Sequence, residues 1–144
     1  MKSLRLGIAS LCIATLLSAC SFKIGGEDKF SANDAKEKLE KQSYVVELLD
    51  VNTYKDSEIG GKFAATDGFE NYIKGVSADG KDYVYAWYFD KMANSDTFFN
   101  TNSKKLEEEF DTNPEVTLKA GIYNNVAYVA TEAAQKVAGL YMEI

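Results

Sequence analysis

The side chains of this sequence that could do covalent or acid–base chemistry are two cysteines, Cys12 and Cys20, and 22 aspartates and glutamates. The 144 residues include no histidine, which excludes imidazole-based catalysis and histidine-ligated metal sites. A glycosidase needs two opposed carboxylates. Four acids surround the predicted hairpin, but no defined spacing pairs two of them: Glu70, Asp79, Asp82 and Asp90. Three consecutive glutamates at 107–109 are typical of the solvated face of a helix. We therefore expect no catalytic residue.

Cys20 ends a segment with the pattern of a targeting signal. A positively charged start precedes the apolar stretch 6–17, whose length is well below the roughly 20 residues of a membrane-spanning helix. The stretch closes with Leu17-Ser18-Ala19-Cys20, which resembles the lipobox, the cleavage signal of bacterial lipoproteins. The resemblance implies that residues 1–19 are a signal peptide and that the thiol of Cys20 becomes the point of lipid attachment.

Processing at this position would change the chemistry of the chain. Removing 19 of the 144 residues leaves 125, with Cys12 lost and Cys20 lipidated, so that no thiol remains for a disulfide or a nucleophile. The remaining side chains are 14 lysines, 22 acids and no arginine, a net charge of −8. Such a chain is repelled by nucleic acid and by anionic lipid. We expect no nucleic-acid partner, and a membrane partner only through the N-terminal lipid.

The segment Tyr83–Phe89 (YVYAWYF) is the most unusual local feature. As a strand, it would place four aromatic side chains on one face: Tyr83, Tyr85, Trp87 and Phe89. These side chains could form the core, which is the commoner arrangement. Alternatively, helices could pack on the face with the small residue Ala86, leaving the aromatic residues as an exposed face that stacks on sugars or binds a protein. In that arrangement the four aromatic residues are the candidate binding face.

Residues 50–61 begin like a calcium-binding EF-hand loop, with Asp50 at the first ligand position. Lys55 stands where that loop needs glycine and Gly61 where it needs glutamate, so we reject the motif. Gly60-Gly61 is not followed by the Gly-Lys-Ser/Thr sequence of a phosphate-binding loop. We predict neither a metal nor a cofactor.

The elements that would position these residues follow from capping signals and hydrophobic periods. Ser31, with Asp34 three residues later, predicts the start of a helix, and residues 44–51 predict a strand. Residues 52–70 contain two turn signals and predict mostly loop. The remaining predicted elements are a hairpin over 71–77 and 81–90 with Asp79-Gly80 in its turn, a helix over 92–110, strands over 116–122 and 126–130, and a last helix after Thr131.

This order, α-β-ββα-ββα, predicts an α+β fold with an antiparallel sheet of about five strands and helices on one face. Residues 20–29 would be the lipidated cysteine and its tether, and residues 30–144 a single domain. The segments Tyr85–Asp90 (YAWYFD) and Ile122–Thr131 (IYNNVAYVAT) resemble those of a group of small α+β lipoproteins, mostly from Gram-positive bacteria. The resemblance implies the same fold, and it supplies no catalytic residue.

The sequence therefore predicts a lipid-anchored protein on the extracytoplasmic side of the cell membrane. It would be a non-catalytic binding or interaction module whose ligand is a protein or a glycan. Two alternatives stay open: a small carboxylate-dependent hydrolase of cell-wall or glycan material, and a structural or inhibitory lipoprotein that acts on a protein partner.

Overall fold

The computed structural model describes residues 29–110 and 117–141, which form an α+β fold. The helices are α1 (Ala32–Lys41), α2 (Val51–Lys55), α3 (Glu58–Lys62), α4 (Met92–Phe110) and α5 (Glu132–Val137). The strands are β1 (Val45–Asp50), β2 (Phe69–Val76), β3 (Tyr83–Phe89), β4 (Lys119–Tyr123) and β5 (Val126–Ala130). The predicted α+β class and the five-stranded antiparallel sheet are confirmed.

Some predictions concern residues outside the described ranges. The signal peptide 1–19, Cys20 and the tether as far as residue 28 lie there. So do the first residue of the strand predicted over 116–122 and the last three residues of the chain.

The sheet has the strand order β1-β2-β3-β5-β4, and every neighbouring pair is antiparallel. Two tight turns close its hairpins, as the sequence predicts. Gly80, with a φ of 74°, stands in the β2–β3 turn, and Asn124, with a φ of 55°, in the β4–β5 turn. Both conformations belong to the left-handed region that glycine and asparagine adopt most readily. The second hairpin then adds β5 to the free side of β3, which makes β1 and β4 the edges.

The segment between β1 and β2 differs from the prediction, because it contains α2 and α3 where a loop was expected. Asp50 caps α2, and its carboxylate accepts a hydrogen bond of 2.8 Å from the backbone N–H of Thr53. Ser57 caps α3 in the same way, through the N–H of Gly60 at 3.0 Å. The pair Gly60-Gly61 predicts a loop, but a Cβ at Gly60 would lie 1.9 Å from the carbonyl oxygen of Tyr54. The glycine permits a close backbone contact within a helical segment.

The helices are divided between the two faces of the sheet, whereas the sequence analysis placed them on one. α1 and α5 cover one face, and α2, α3 and α4 cover part of the other. The reason lies in β3, where Val84 and Ala86 alternate with Trp87 and Phe89, all fully buried. Since both sets are apolar, both faces of the strand must be removed from water.

The face under α1 and α5 is built for close packing. Leu39 of α1 lies over Gly75 of β2, where a Cβ would come within 3.2 Å of the leucine side chain. Ala86 and Ala130 continue the small residues across the sheet and are buried. Helices thus cover the face that carries Ala86, as in the alternative arrangement of this strand.

Candidate binding groove

Trp87 and Phe89, two of the four residues of the candidate binding face, are completely buried. The rings of Phe63 and Phe98 pack against Trp87, with centroids 5.9 and 5.4 Å from its own. The indole N–H of Trp87 donates a hydrogen bond of 2.9 Å to the hydroxyl of Tyr54. The exposed arrangement is therefore wrong for Trp87 and Phe89, because α2, α3 and α4 bring enough apolar surface to cover this part of the sheet.

Tyr83 and Tyr85, the other two residues of that face, are only partly buried. Tyr85 lies beside Lys74 of β2, which in turn lies beside Glu47 of β1, and both of these charged residues are exposed. The next row along the strands contains Tyr83 and ends at Val45, which is 75% exposed. The aromatic face is thus divided: helices bury the half with the tryptophan and leave the half with the two tyrosines open.

A groove of about 360 Å³ lies at the boundary between the covered and the open halves. Its floor is the row of Glu47, Lys74 and Tyr85, with Leu49 and Tyr72 behind it. Its walls come from α3 and from the end of α4, and consist of Ser57, Glu58, Ile59, Lys62, Glu109 and Phe110. We call this feature the groove.

Two contacts between helices hold the walls of the groove in place. Lys62 of α3 and Glu109 of α4 form an ion pair of 2.5 Å, and the carboxylate of Glu109 raises the pKa of Lys62. Lys105 donates a hydrogen bond to the carbonyl oxygen of Lys62, at the end of α3, and its ammonium lies 5.0 Å from the ring centre of Phe63. A cation at the carboxyl end of a helix interacts favourably with the helix dipole.

The floor combines hydrogen-bonding groups with aromatic surface. Burial raises the pKa of the Tyr85 hydroxyl, and the neighbouring Tyr83 adds to the effect. Burial also raises the pKa of Tyr72 strongly, with smaller contributions from Tyr85 and Glu47. Both phenols are therefore neutral at physiological pH and can donate as well as accept hydrogen bonds. Across the floor, a ligand would meet a carboxylate, an ammonium and a phenol in turn.

The groove brings three glutamates together, which bears on the hydrolase alternative. Glu109 is engaged by Lys62, and the other two, Glu47 and Glu58, are solvent-exposed. A glycosidase keeps its general acid protonated by placing it in an apolar, desolvated position. Exposed carboxylates are better suited to accepting hydrogen bonds from a ligand than to donating a proton to it.

Sequence reasoning identified Tyr85 but missed the groove residues on α3, because the turn signals in residues 52–70 predict mostly loop. The missing signal was capping: Asp50 with Thr53, and Ser57 three residues before Gly60, each mark a helix start. Glu47 and Lys74 had no individual signal, since only the strand register places them beside Tyr85.

A second cavity of about 370 Å³ lies beside β4 and α5. Its lining is Thr117, Lys119, Ala130, Glu132 and Gln135, with no aromatic residue. The groove is therefore the cavity with the richer set of binding groups.

The chain enters the described fold on the face of the sheet opposite the groove. The buried side-chain amide of Asn125 accepts a hydrogen bond of 2.7 Å from the N–H of Phe30 and donates to the carbonyl oxygens of Phe30 and Phe89 at 3.0 and 2.8 Å. Phe30 also stacks on Tyr123, with ring centres 5.1 Å apart, and packs against the core under α1 and α5. These contacts fix the entry of the chain at one end of the sheet, on the face opposite the groove.

Membrane-spanning helices and metal-ligand clusters are both absent from the described ranges. In residues 29–110 and 117–141, no helix has the length and apolar character of a membrane span. The same residues contain no group of three cysteine, aspartate or glutamate side chains placed to hold a metal ion. Asp50, the residue that begins the rejected calcium motif, serves instead as a helix cap, and hydrogen bonds from Thr53 lower the pKa of its carboxyl group.

Comparisons with known proteins add no identity to these observations. No protein-family model matches the chain. No curated protein and no solved structure matches it either. Two features therefore remain as the basis for a functional argument: the N-terminal motif that ends at Cys20, and the groove.

Proposed function

We propose that this protein is a lipid-anchored binding module on the extracytoplasmic side of the cell membrane, without catalytic activity, and that the groove is its ligand site. The observation that carries the proposal is the position of the groove relative to the tether. Phe30, the first residue after the proposed tether, packs on the α1 face, whereas the groove lies on the opposite face of the sheet. An anchored domain built in this way would present the groove away from its own attachment point.

The distance along the sheet supports the same arrangement. Asn125 holds Phe30 next to Phe89, the last residue of β3. Tyr85 lies four residues earlier in that strand, a separation of roughly 13 Å along the sheet. The proposed attachment point, Cys20, precedes Phe30 by only ten residues. The domain would thus lie near the bilayer, with the open half of the sheet directed away from it.

The anchoring part of the proposal comes from the sequence. The lipobox-like segment 17–20 follows a positively charged start and a short apolar stretch, and the resemblance to small α+β lipoproteins points to the same location. A net charge of −8 would keep the domain off an anionic bilayer surface. Two acyl chains or more give stable membrane attachment, whereas one alone is marginal.

Labelling with a clickable palmitate analogue tests the anchor. The full chain should incorporate the label and fractionate with membranes, and Cys20→Ala should abolish both the labelling and the processing of the precursor. The matched control is Cys12→Ala, which lies within the proposed signal and should still be labelled at Cys20. Labelling that persists in Cys20→Ala would refute the proposed attachment point.

Site-specific photocrosslinking in intact cells tests the groove. A photoreactive amino acid at Lys74, on the floor, should give defined adducts with envelope material. The same probe at Lys136 of α5, an exposed lysine on the opposite face, should give none of these adducts. Identical adduct patterns at the two positions would refute the assignment of the groove as the ligand site.

The hydrolase remains a second candidate, since three glutamates line one groove. If the protein is a hydrolase, it should release sugars from purified cell-wall glycan, and Glu47→Gln or Glu58→Gln should abolish this release while glycan binding is retained. If the protein is an inhibitory lipoprotein, the photoreactive probe at Lys74 should crosslink to a protein partner. Adding the lipoprotein should then change the activity of that partner.

A further inference from the structure

Resting on the proposed function, we infer that the groove binds a neutral glycan chain, with a sugar ring stacked on Tyr85 and its hydroxyl groups bonded to Glu47 and Lys74. The inference deepens the binding proposal by naming the class of ligand. It rests on the charge balance of the groove, the order of polar groups on its floor, and its exposed aromatic surface.

The charge of the groove excludes the strongly charged ligand classes. Three glutamates and two lysines line it, a formal balance of −1. An anionic ligand would meet the excess of carboxylates. A cationic ligand would be attracted by Glu47 and Glu58 but would meet the free ammonium of Lys74, which has no ion-pair partner among the described residues. A ligand without net charge avoids both conflicts.

The floor presents donors and acceptors in alternation. Because Glu47, Lys74 and Tyr85 are register neighbours on three adjacent strands, their backbones are spaced by about 4.8 Å. The carboxylate only accepts, the ammonium only donates, and the phenol does both. A hydroxyl group can satisfy each of these partners in turn, so a polyhydroxylated ligand fits the floor. An apolar ligand would leave Glu47 and Lys74 desolvated without partners, which is unfavourable.

Tyr85 and Phe110 supply apolar ring surface at one end of the groove, and Tyr83 lies beside Tyr85, outside the lining. The rings of Tyr83 and Tyr85 are nearly parallel, at 8° with centres 6.5 Å apart, and Phe110 packs against Tyr85 at 4.3 Å. All three residues are partly exposed. Since the ring of Phe110 packs against the ring of Tyr85 at an angle of 31°, the tyrosine ring is held in place before a ligand arrives, which reduces the entropy lost on binding. The volume of about 360 Å³ is near the lower limit for ligand sites and suits a short segment of a chain.

Titration calorimetry on the full chain, in a detergent without a sugar headgroup, tests the inference. The probes are the β-1,4-linked tetramers of N-acetylglucosamine and of glucose, both neutral, with the cationic glucosamine tetramer and a sulfated tetramer as charged comparisons. We expect at least one neutral tetramer to bind. Its affinity should fall about tenfold in Tyr85→Leu, which keeps an apolar side chain but removes the ring, and change less than threefold in Tyr85→Phe.

The matched control is Tyr141→Leu, because Tyr141 is 39% exposed and lies outside the groove. Its affinity for the neutral tetramer should equal that of the wild type, and the thermal midpoints of all variants should establish that each is folded. Equal losses in Tyr85→Leu and Tyr141→Leu would overturn the inference. Tighter binding of the cationic or the sulfated tetramer by tenfold or more would overturn it as well.

The outcome also separates this inference from the proposed function. If none of the tetramers binds while the probe at Lys74 still forms groove-specific adducts in cells, the glycan inference fails and the binding module stands. If neither binding nor adducts are found, both fail.

Discussion

Two buried tyrosines of this protein should respond in opposite ways to the same change, the loss of one hydroxyl oxygen. The hydroxyl of Tyr54 donates a hydrogen bond to the carbonyl oxygen of Phe63 and accepts one from the indole N–H of Trp87. The hydroxyl of Tyr88, on the other face of the sheet, is buried and has no hydrogen-bond partner among the described residues. Tyr54→Phe removes a group that satisfies two others, whereas Tyr88→Phe removes an unsatisfied group.

The magnitudes follow from the environment of each oxygen. In Tyr54→Phe, a buried N–H and a buried carbonyl oxygen both lose a partner, at about 1–3 kcal/mol each, so the free energy of unfolding should fall by about 2–6 kcal/mol. In Tyr88→Phe, the cost of burying an unpaired hydroxyl disappears, and the free energy of unfolding should rise by about 1–2 kcal/mol.

Urea denaturation at pH 7, followed by circular dichroism on a chain that starts after Cys20, measures both changes. The slope of the free energy against urea should stay constant, so that the midpoint alone moves, downward for Tyr54→Phe and upward for Tyr88→Phe. A loss of stability in both variants, or a Tyr54→Phe variant as stable as the wild type, would refute the assignment of hydrogen-bonding roles. A change in slope would show instead that the unfolded or native state itself had been altered.

Further predictions concern the cores and the entry of the chain. Since Trp87 is fully buried, its fluorescence maximum should be blue-shifted and resist acrylamide; ready quenching would contradict its position. Burial raises the pKa of Tyr54 to about 12 from 10, so the neutral phenol stabilises the fold fully below pH 10. That contribution should be lost as the pH rises from 10 towards 12, so the urea midpoint should be lower at pH 11 than at pH 9. Asn125→Ala removes three hydrogen bonds and should lower the free energy of unfolding by about 2–4 kcal/mol, with faster proteolysis next to Phe30. Because no metal is predicted, a chelator should leave the thermal midpoint unchanged.

Much of the fold could be predicted because its signals are local. Asp79-Gly80 marks the turn of the β2–β3 hairpin, and the side chain of Ser31 accepts hydrogen bonds at the start of α1, as capping rules require. The long helix α4 spans the predicted residues 92–110. In each case a few neighbouring residues determine the backbone, so no knowledge of distant contacts is needed.

The short helices α2 and α3 could not be predicted from propensity, because helices of five residues are unstable alone. Tertiary contacts form them: Tyr54 and Phe63 are fully buried beneath the sheet and pin the segment from both ends. The faces of β3 posed a different problem. The alternation of side chains places Trp87 and Ala86 on opposite faces of β3. Because both faces are apolar, this pattern does not predict which face the helices cover. It also does not predict how far along the strand the helices extend.

The groove exists because α2, α3 and α4 cover only the half of this sheet face that contains Trp87 and leave the half with Tyr83 and Tyr85 open. α3 forms one wall, and its position depends on contacts outside it: Ser57 donates to the carbonyl oxygen of Tyr54 at 2.6 Å, and Lys105 binds the carbonyl at its end. The hydroxyl of Tyr54 also accepts a hydrogen bond from Trp87, so Tyr54 contacts both the aromatic core and the groove wall formed by α3.

Stability and binding are consequently coupled at some positions and independent at others. A change at Tyr54 would shift α3 and with it Glu58, so a loss of ligand affinity there would report on the wall and not on a direct contact. Lys74 and Glu47 lie on the exposed side of strands whose register the rest of the sheet maintains. Substitutions at these two positions should leave the free energy of unfolding within about 0.5 kcal/mol of the wild type. An affinity change there, at constant stability, is therefore the cleanest measure of what the groove itself recognises.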